Sequence, residues 1–326
     1  AMIQIEKFTA TDKEFIEIAR IRNLINHDSI DHPDEDKNDW AIRDKSIIRD
    51  RLLLYYNNKL IGLLYYAQGR DENSQTSFFN IVIDPQYNNH GYREILYQEM
   101  LQEVQGFKCN KLFSNIYEHP NYKNHQNLLI NHNFKLVQTN REYSCDIREI
   151  NTQKYKPLID KLESEGIQFY DSRDEMKEFP NHFQKLEKLE WTLDQDVPIP
   201  DGIKHTRMPF EEWKKVCLDF YQNAYGVDIV AVKDGEYIGS TDIEVYPKSE
   251  PHKGWTGGLG VIREFRRKGI ATALKIKAIE ALLKKGITEI RTDNEENNPM
   301  YKINVALGFK PVPFSLEYMK KIKDRK

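Results

Sequence analysis

The sequence predicts a mixed α/β protein that contains two copies of one domain. The chain has 326 residues, which is long for one hydrophobic core and comfortable for two. Three sequence elements occur twice in the same order, with a period of roughly 177 residues. We therefore predict a first domain over residues 1–150 and a second over residues 151–326, joined near residues 148–156, where the apolar periodicity lapses.

The first repeated element is a β-hairpin, predicted over residues 53–62 and again over residues 229–239. In each segment two apolar runs flank a polar turn. The turns are an Asn-Asn pair at residues 57–58 and an Asp-Gly pair at residues 234–235. These residue types tolerate the positive φ angles that a tight hairpin requires.

The second repeated element is a strand, a loop that contains glycine, and a helix. The segment at residues 81–87 leads into Gly91 and a helix, and the segment at residues 260–265, which overlaps a strand predicted over residues 254–262, leads into Gly269 and a helix. The third element precedes the last predicted strand of each copy and covers residues 133–137 and 308–312. The order and spacing of all three elements support the duplication.

The composition excludes several classes of protein. About 39% of residues are apolar and the net charge is −3, so the sequence gives no case for a nucleic-acid partner. No apolar run approaches 18 residues, which predicts no membrane partner and a cytoplasmic location. The three cysteines and nine histidines have no metal-ligand spacing, so we predict no metal. Residues 32–39 are polar, contain a proline and are predicted as a loop.

One loop in the second copy carries the chemistry. It has the sequence Arg266-Arg267-Lys268-Gly269-Ile270-Ala271 and lies between a predicted strand and an amphipathic helix at residues 272–285. The start of a helix offers unpaired backbone N–H groups and partial positive charge, both of which suit a pyrophosphate. Glycine and alanine let the backbone approach the phosphates, and the three cations add donors. The alternative from these residues alone is an ordinary basic surface turn.

The pattern R-x-x-G-x-[GA] resembles the coenzyme A signature of the GCN5-related N-acetyltransferase (GNAT) superfamily. The resemblance continues downstream through Thr292-Asp293-Asn294, Asn297-Asn298-Pro299-Met300, Ile303-Asn304 and Leu307-Gly308-Phe309. This run is similar to that of tandem-domain members whose layout is that of mycothiol synthase. The resemblance implies two GNAT-like domains, each a mostly antiparallel mixed sheet with a splayed central strand pair flanked by helices.

The resemblance also implies a cofactor and the residues that hold it. Acetyl-CoA would be the co-substrate, with its pantetheine arm on the backbone of Leu259, Gly260 and Val261 and its pyrophosphate on residues 266–272. Polar contacts would come from Asn294, Asn297 and Asn304, whose amides donate and accept hydrogen bonds. For Asn294 and Asn297 the alternative is a role in turns or helix caps.

The first copy departs from the signature. Its loop, residues 88–93, keeps Gly91, but Asn88 replaces the first arginine and Arg93 stands at the small-residue position. A long side chain there obstructs a close approach of phosphate, although its charge suits one. We therefore predict that the first domain is degenerate, with a structural or substrate-shaping role, and that the chain has one competent site.

The catalytic groups are less defined. Family members use a tyrosine as general acid at the position of Asn304, so Tyr301, one helical turn earlier, is a substitute candidate or a packing residue. Asp242 and Glu244 alternate on one strand and share a face, so either is a candidate base or a surface charge. A third possibility is a mechanism of positioning plus a water relay. Acceptor candidates combine acidic and aromatic character, which suits a cationic amine, and comprise Trp191, Asp194, Asp196, Pro198, Trp213 and Tyr221.

The prediction is thus an acetyl-CoA-dependent N-acetyltransferase that acts on a small-molecule amine through its second domain, as a monomer or homodimer. Two alternatives stay open: a non-catalytic acyl-CoA-binding or regulatory module, and a protein or peptide N-acetyltransferase.

Overall fold

A computed structural model describes residues 2–223 and 226–322. The chain divides into two compact units. Unit 1 comprises Ala1–Asn140, Ile199–Thr206 and Pro313–Lys326, and unit 2 comprises Arg141–Pro198 and Arg207–Val312. The units therefore differ from the predicted division at residues 150 and 151, because the last strand of each sequence copy extends into the other copy's unit.

Unit 1 contains strands β1 to β5, most of the last strand β12, and helices α1 to α4. Their order along the sheet is β1-β2-β3-β4-β5-β12, and the pairs are antiparallel except for β4 with β5. The bounds are β1 Ile3–Lys7, α1 Asp12–Ile25, α2 Pro33–Ile42, β2 Arg49–Tyr56, β3 Lys59–Gln68, β4 Thr76–Ile83, α3 Tyr92–Glu103, β5 Lys111–Tyr117, α4 Lys123–Asn131 and β12 Lys310–Lys321.

Unit 2 contains strands β7 to β11, the end of β6, and helices α5 to α10. The order along the sheet is β6-β11-β10-β9-β8-β7, with β10 and β11 parallel and the β9 pairs antiparallel. The bounds are β6 Lys135–Asp146, α5 Lys156–Ser164, β7 Ile167–Asp171, α6 Ser172–Glu175, α7 His182–Asp194, α8 Phe210–Asn223, β8 Val227–Lys233, β9 Glu236–Val245, β10 Lys253–Val261, α9 Ile270–Lys284, β11 Glu289–Glu295 and α10 Tyr301–Ala306.

Each sheet is splayed at its parallel pair. In unit 1, β4 and β5 pair only over Thr76–Phe78 of β4, and in unit 2, β10 and β11 pair only over Lys253–Trp255 of β10. Beyond these residues the strands no longer pair, so the backbone groups of β4 and β10 on that side are available to other partners. The predicted mixed α/β fold with a splayed central pair is therefore confirmed in both units.

The two predicted hairpins are confirmed, and one predicted loop is wrong. The turn residues have positive φ in both hairpins, 48° and 64° for the Asn-Asn pair and 51° and 78° for the Asp-Gly pair. Residues 32–39 were predicted as a loop, but most of them lie in α2. The helix forms because Pro33 stands in its first turn and His32 accepts a hydrogen bond from the Asp34 backbone N–H. Within residues 2–223 and 226–322, no helix is long and apolar enough to cross a membrane.

The helix that follows β10 packs into the core of unit 2. Seven apolar side chains of α9 are buried against β8, β9 and β10, including Leu274, Ile276 and Ile279. A continuous apolar core of this kind fixes the position of the helix. The first turn of α9 is therefore held in a defined place beside the C-terminal end of β10.

Candidate active site

The loop before α9 has the geometry of an anion cradle. Gly269 is the N-cap residue with a φ of 88°, and no side chain accepts a hydrogen bond from the first turn of the helix. Arg267, with a φ of 62°, also lies in the left-handed region. The backbone N–H groups at the start of α9 are thus left for an external acceptor, and the helix dipole favours a negative charge there.

Two glycines keep the backbone accessible. A Cβ at Gly269 would lie 2.7 Å from Cδ1 of Leu158, and one at Gly260 would lie 3.0 Å from Cδ2 of Leu193. At Gly269 the positive φ adds strain for any other residue. A side chain at either position would crowd the neighbouring leucine.

The arginines around the cradle are held by one carboxylate. Arg266 donates from Nε to the carbonyl of Val261 at 2.9 Å and from its guanidinium to Asp196 at 2.5 Å. Arg263 also pairs with Asp196. Hydrogen bonds from the two guanidinium groups lower the pKa of Asp196 to about 2. Asp196 therefore stays ionised and fixes the direction of Arg266.

The cradle opens into a cavity of about 790 Å³ within unit 2. Its basic end is the cradle, its walls are the splayed end of β10 and apolar side chains of α8, and its other end is acidic. The lining includes Leu259, Gly260, Val261, Arg266, Arg267, Gly269, Ile270, Ala271 and Thr272 at the basic end and Glu190, Asp194, Asp228, Asp242 and Glu244 at the acidic end.

Two aspartates face each other in the acidic end. Asp228 on β8 is paired in register with Asp242 on β9, which places both side chains on one face of the sheet. Asp228 is buried and accepts hydrogen bonds from Ser172 Oγ at 2.5 Å and from Tyr221 OH at 3.2 Å. Burial raises the pKa of Asp228 to about 6 despite these donors.

Asp242 has the more perturbed carboxyl of the pair. Burial, and then the charges of Asp228 and Glu244, raise its pKa to about 8. A β-bulge in β10 between Thr256 and Gly258 makes room for it, since a Cβ at Gly257 would overlap a carboxylate oxygen of Asp242.

Glu190 on α7 is the third carboxyl with a raised pKa. It accepts a hydrogen bond from Nε1 of Trp213 at 2.5 Å, and burial, together with the charge of Asp228, raises its pKa to about 8. Like charges this close do not all ionise in a low-dielectric site. Some carboxyls of the acidic end are therefore protonated at neutral pH. A cation bound there would stabilise their ionised forms.

Comparison with known proteins decides the family. A model of the acetyltransferase (GNAT) family matches residues 15–127 and 184–307, more than half of the chain. The chain belongs to the GNAT acetyltransferase family. No curated protein sequence matches it significantly.

Solved structures with the same fold align over nearly the whole chain at low sequence identity. A tandem GNAT protein from the clavulanic acid biosynthesis pathway aligns with a TM-score of 0.79 at 15% identity, covering 98% of both chains. A GCN5-related N-acetyltransferase from Sphaerobacter thermophilus aligns with a TM-score of 0.67 at 14% identity, covering 98% of this chain and 96% of that one. A glucosamine N-acetyltransferase region of a fungal multi-domain β-N-acetylglucosaminidase aligns with a TM-score of 0.73 at 14% identity, covering 98% of this chain and 38% of that one.

Most of the predicted GNAT cofactor residues line the cavity, but five predicted site residues do not. Lys268 lies over the ring of Phe265 at 5.0 Å, and Asn297 donates to Glu295. Asn304 is 3% exposed and donates to Oδ1 of Asn294 at 3.0 Å. Tyr301 has the Arg141 guanidinium 5.1 Å from its ring centroid. The residues outside the cavity lining are thus Lys268, Asn294, Asn297, Tyr301 and Asn304.

The predicted acceptor residues also separate into two groups. Asp194, Asp196 and Trp213 line the cavity, whereas Trp191, Pro198 and Tyr221 do not. Sequence reasoning missed Glu190 and Asp228. A lone aspartate inside an apolar strand was a usable signal for Asp228, and an acidic pair at residues 190 and 194, one helical turn apart, was a usable signal for Glu190.

In unit 1 the equivalent loop is filled by its own side chain. Gly91 keeps the positive φ, 75°, and caps α3 without a side-chain hydrogen bond. Arg93, however, donates from its guanidinium to the carbonyl of Ile81 at 2.5 Å and to Oδ1 of Asn88 at 3.1 Å. Gly62 of β3 pairs with Ile83, and Gly239 of β9 pairs with Val261. Ile81 and Leu259 each lie two residues before that partner, so they hold equivalent positions in the two units. Arg93 thus takes the backbone acceptor that corresponds to one predicted for pantetheine. Within residues 2–223 and 226–322, no three His, Cys, Asp or Glu side chains are grouped to hold a metal ion.

Proposed function

We propose that this GNAT protein is an acetyl-CoA-dependent N-acetyltransferase whose second unit acetylates the amine of a small cationic molecule. One observation carries the proposal: the anion cradle of α9 and the buried carboxyls of β8, β9 and α7 line the same cavity. Such a cavity has complementary ends for an anionic cofactor and a cationic acceptor.

The residues of the cradle fit the cofactor. The backbone N–H groups from Gly269 to Thr272 would donate hydrogen bonds to the pyrophosphate, with the guanidinium of Arg266, directed by Asp196, as a further donor. The unpaired side of β10 at Leu259 would hold the pantetheine arm. Acetyl-CoA, when bound, supplies the thioester that is the acyl donor.

The acidic end fits the acceptor and provides a base. An ammonium group would lie between Asp242 and Asp228, with the ring of Trp213 at the cavity wall. Free amines have a pKa of roughly 8 to 10.4, so the nucleophile must lose a proton before attack. We assign removal of this proton to Asp242. Its pKa of about 8 is close to that of an amine, and no side chain among residues 2–223 and 226–322 donates a hydrogen bond to its carboxylate.

The departing thiolate also needs a proton. Asn304 cannot act as an acid, and Tyr301 does not line the cavity. This observation favours one alternative, a non-catalytic acyl-CoA-binding module. An enzyme with this site would rely on positioning and on water to protonate the departing thiolate.

A titration with acetyl-CoA followed by an assay of thiol release tests the proposal. Calorimetry on the full chain is expected to give one site per chain, and a panel of amines is expected to include at least one that releases free CoA thiol. Two sites would contradict the assignment of the cofactor to unit 2 alone. Tight binding without thiol release on any amine or peptide would instead support the non-catalytic module.

A further inference from the structure

Unit 1 has a cavity of its own, of about 410 Å³ against about 790 Å³ in unit 2. It lies beside the splayed ends of β4 and β5 and is closed by side chains of α1 and α2. Its walls are unusually rich in guanidinium groups: the lining includes Arg22, Arg49, Arg51 and Arg93, with Asp36 and Asp39.

Three of these arginines have an aspartate partner. Arg51 makes a two-pronged pair with Asp36 at 2.6 and 2.7 Å, Arg49 pairs with Asp39 at 2.5 Å, and Arg22 lies 3.2 Å from Asp31. Their charges are compensated within unit 1.

Arg93 is different. Both of its hydrogen-bond acceptors, the Ile81 carbonyl and the Asn88 amide, are neutral, and no carboxylate among residues 2–223 and 226–322 pairs with it. An arginine stays charged at any physiological pH, even though burial lowers the pKa of Arg93 to about 10. A largely buried charge without a counter-ion is unfavourable, and an anion in the cavity would compensate it.

His125 gives a second, independent observation. Its side chain lines the cavity, it is only 5% exposed, and its Nε2 lies 2.8 Å from Ser114 Oγ. The buried Nδ1 has no partner among the described residues. Burial, and the charge of Arg93, lower the pKa of His125 to about 3, so the ring is neutral. The Asn80 amide nitrogen donates to Ser114 Oγ at 3.0 Å, so the hydroxyl proton goes to His125 Nε2 and Nδ1 carries a proton without an acceptor.

We propose that the unit 1 cavity binds a small organic carboxylate, with Arg93 as its counter-ion and His125 as a further hydrogen-bond partner. A planar carboxylate matches the guanidinium fork. A single negative charge also matches the one charge of Arg93, because the guanidinium groups of Arg22, Arg49 and Arg51 are paired with aspartates. The proposal concerns unit 1 only and does not rest on the function proposed for unit 2.

Calorimetric titration of the full chain tests the proposal with propionate and acetate as probes, propionamide as the neutral match to propionate, and inorganic phosphate as a different anion. The expected result is one carboxylate site per chain, no binding of propionamide, and weaker binding of phosphate. Arg93→Met should weaken carboxylate binding at least tenfold. Arg148→Met is the matched control, because Arg148 is exposed and pairs with Asp146 outside the cavity, and it should leave the affinity unchanged.

Asn115→Asp provides a second variant if Arg93→Met does not fold, as judged by circular dichroism. Asn115 is exposed and lines the cavity, so a new negative charge there should also weaken carboxylate binding at least tenfold. The proposal is overturned if neither carboxylate binds the native chain, if phosphate binds as tightly as the carboxylates, or if the folded variants keep the native affinity.

Discussion

Replacement of the cradle glycine by aspartate should remove acetyl-CoA binding, and the repeat supplies the matched control. Gly269 and Gly91 hold equivalent N-cap positions, with φ angles of 88° and 75°. Any L-residue at either position costs about 1–2 kcal/mol in backbone strain. The strain is therefore common to both variants, and differences in cofactor affinity report the site itself.

The magnitude follows from the local geometry. A carboxylate at residue 269 would lie roughly 5 Å from a pyrophosphate charge, which costs about 1–3 kcal/mol per charge at an effective dielectric constant between 20 and 80. With two charges, Gly269→Asp should weaken binding at least about tenfold, since about 1.4 kcal/mol corresponds to a factor of ten. Crowding of Leu158 adds to the effect, whereas a Cβ at Gly91 meets nothing within 4 Å.

Calorimetry with acetyl-CoA at low and at physiological ionic strength measures this effect, because salt screens the repulsion but not the steric part. Gly269→Ala separates strain and crowding from charge. We expect Gly91→Asp to bind acetyl-CoA as the native chain does. Equal losses in the Gly269→Asp and Gly91→Asp variants, or native affinity in the Gly269→Asp variant, would refute the reasoning.

Three further variants, all in unit 2, test the remaining predictions. Asp242→Asn should lower kcat for the best amine about 100-fold or more. The activity of the native chain should rise as the pH passes about 8, because the Asp242 carboxyl then ionises. A pH–rate profile unchanged by the substitution would contradict this role. The same variant should melt at a higher temperature than the native chain at pH 8, because a raised carboxyl pKa makes the native fold lose stability as the pH rises from about 4 to 8. Lys275 is fully buried, its Nζ has no hydrogen-bond partner among the described residues, and burial lowers its pKa to about 8. Lys275→Met should therefore raise the free energy of unfolding by up to about 3 kcal/mol at pH 7 and by little at pH 11, where the unfolded chain also has a neutral lysine, as urea titrations at the two pH values would show. Asp196→Asn should weaken acetyl-CoA binding several-fold in calorimetry, since Arg266 would lose the carboxylate that directs it.

Local signals in the sequence were sufficient for the mixed α/β fold and for the two hairpins. The hairpin turns depend on a few neighbouring residues whose φ preferences are strong, so the Asp-Gly turn was predicted correctly, whereas α9 begins at Ile270, two residues before its predicted start. The helix at residues 33–42 was missed because none of its residues is buried. Its sequence therefore shows no helical period of apolar residues from which a helix could be predicted.

The acidic end of the cavity depends on contacts between distant segments. Asp228 and Asp242 meet through strand register, and Glu190 reaches them from a helix whose packing no local pattern specifies. The hydrogen bond from Arg93 to the Ile81 carbonyl could likewise not be predicted from the sequence, because the direction of a long side chain is set by its surroundings. Position 93 was identified as unusual, and only the structure shows which acceptor the side chain finds.

The assignment of residues 313–326 to unit 1 has a consequence for biosynthesis. Residues 315–321 of β12 pair with β5, so the sheet of unit 1 lacks this strand until residues 315–321 have been synthesised, long after the rest of the unit. Domains generally fold as units, N-terminal first, during synthesis. Until residues 315–321 are made, β5 of unit 1 has one edge without a partner strand, and such an edge pairs readily with strands of other nascent chains. Truncation near residue 310 would therefore damage the sheet of unit 1, and unit 1 is expected to acquire protease resistance only after residues 315–321 have left the ribosome.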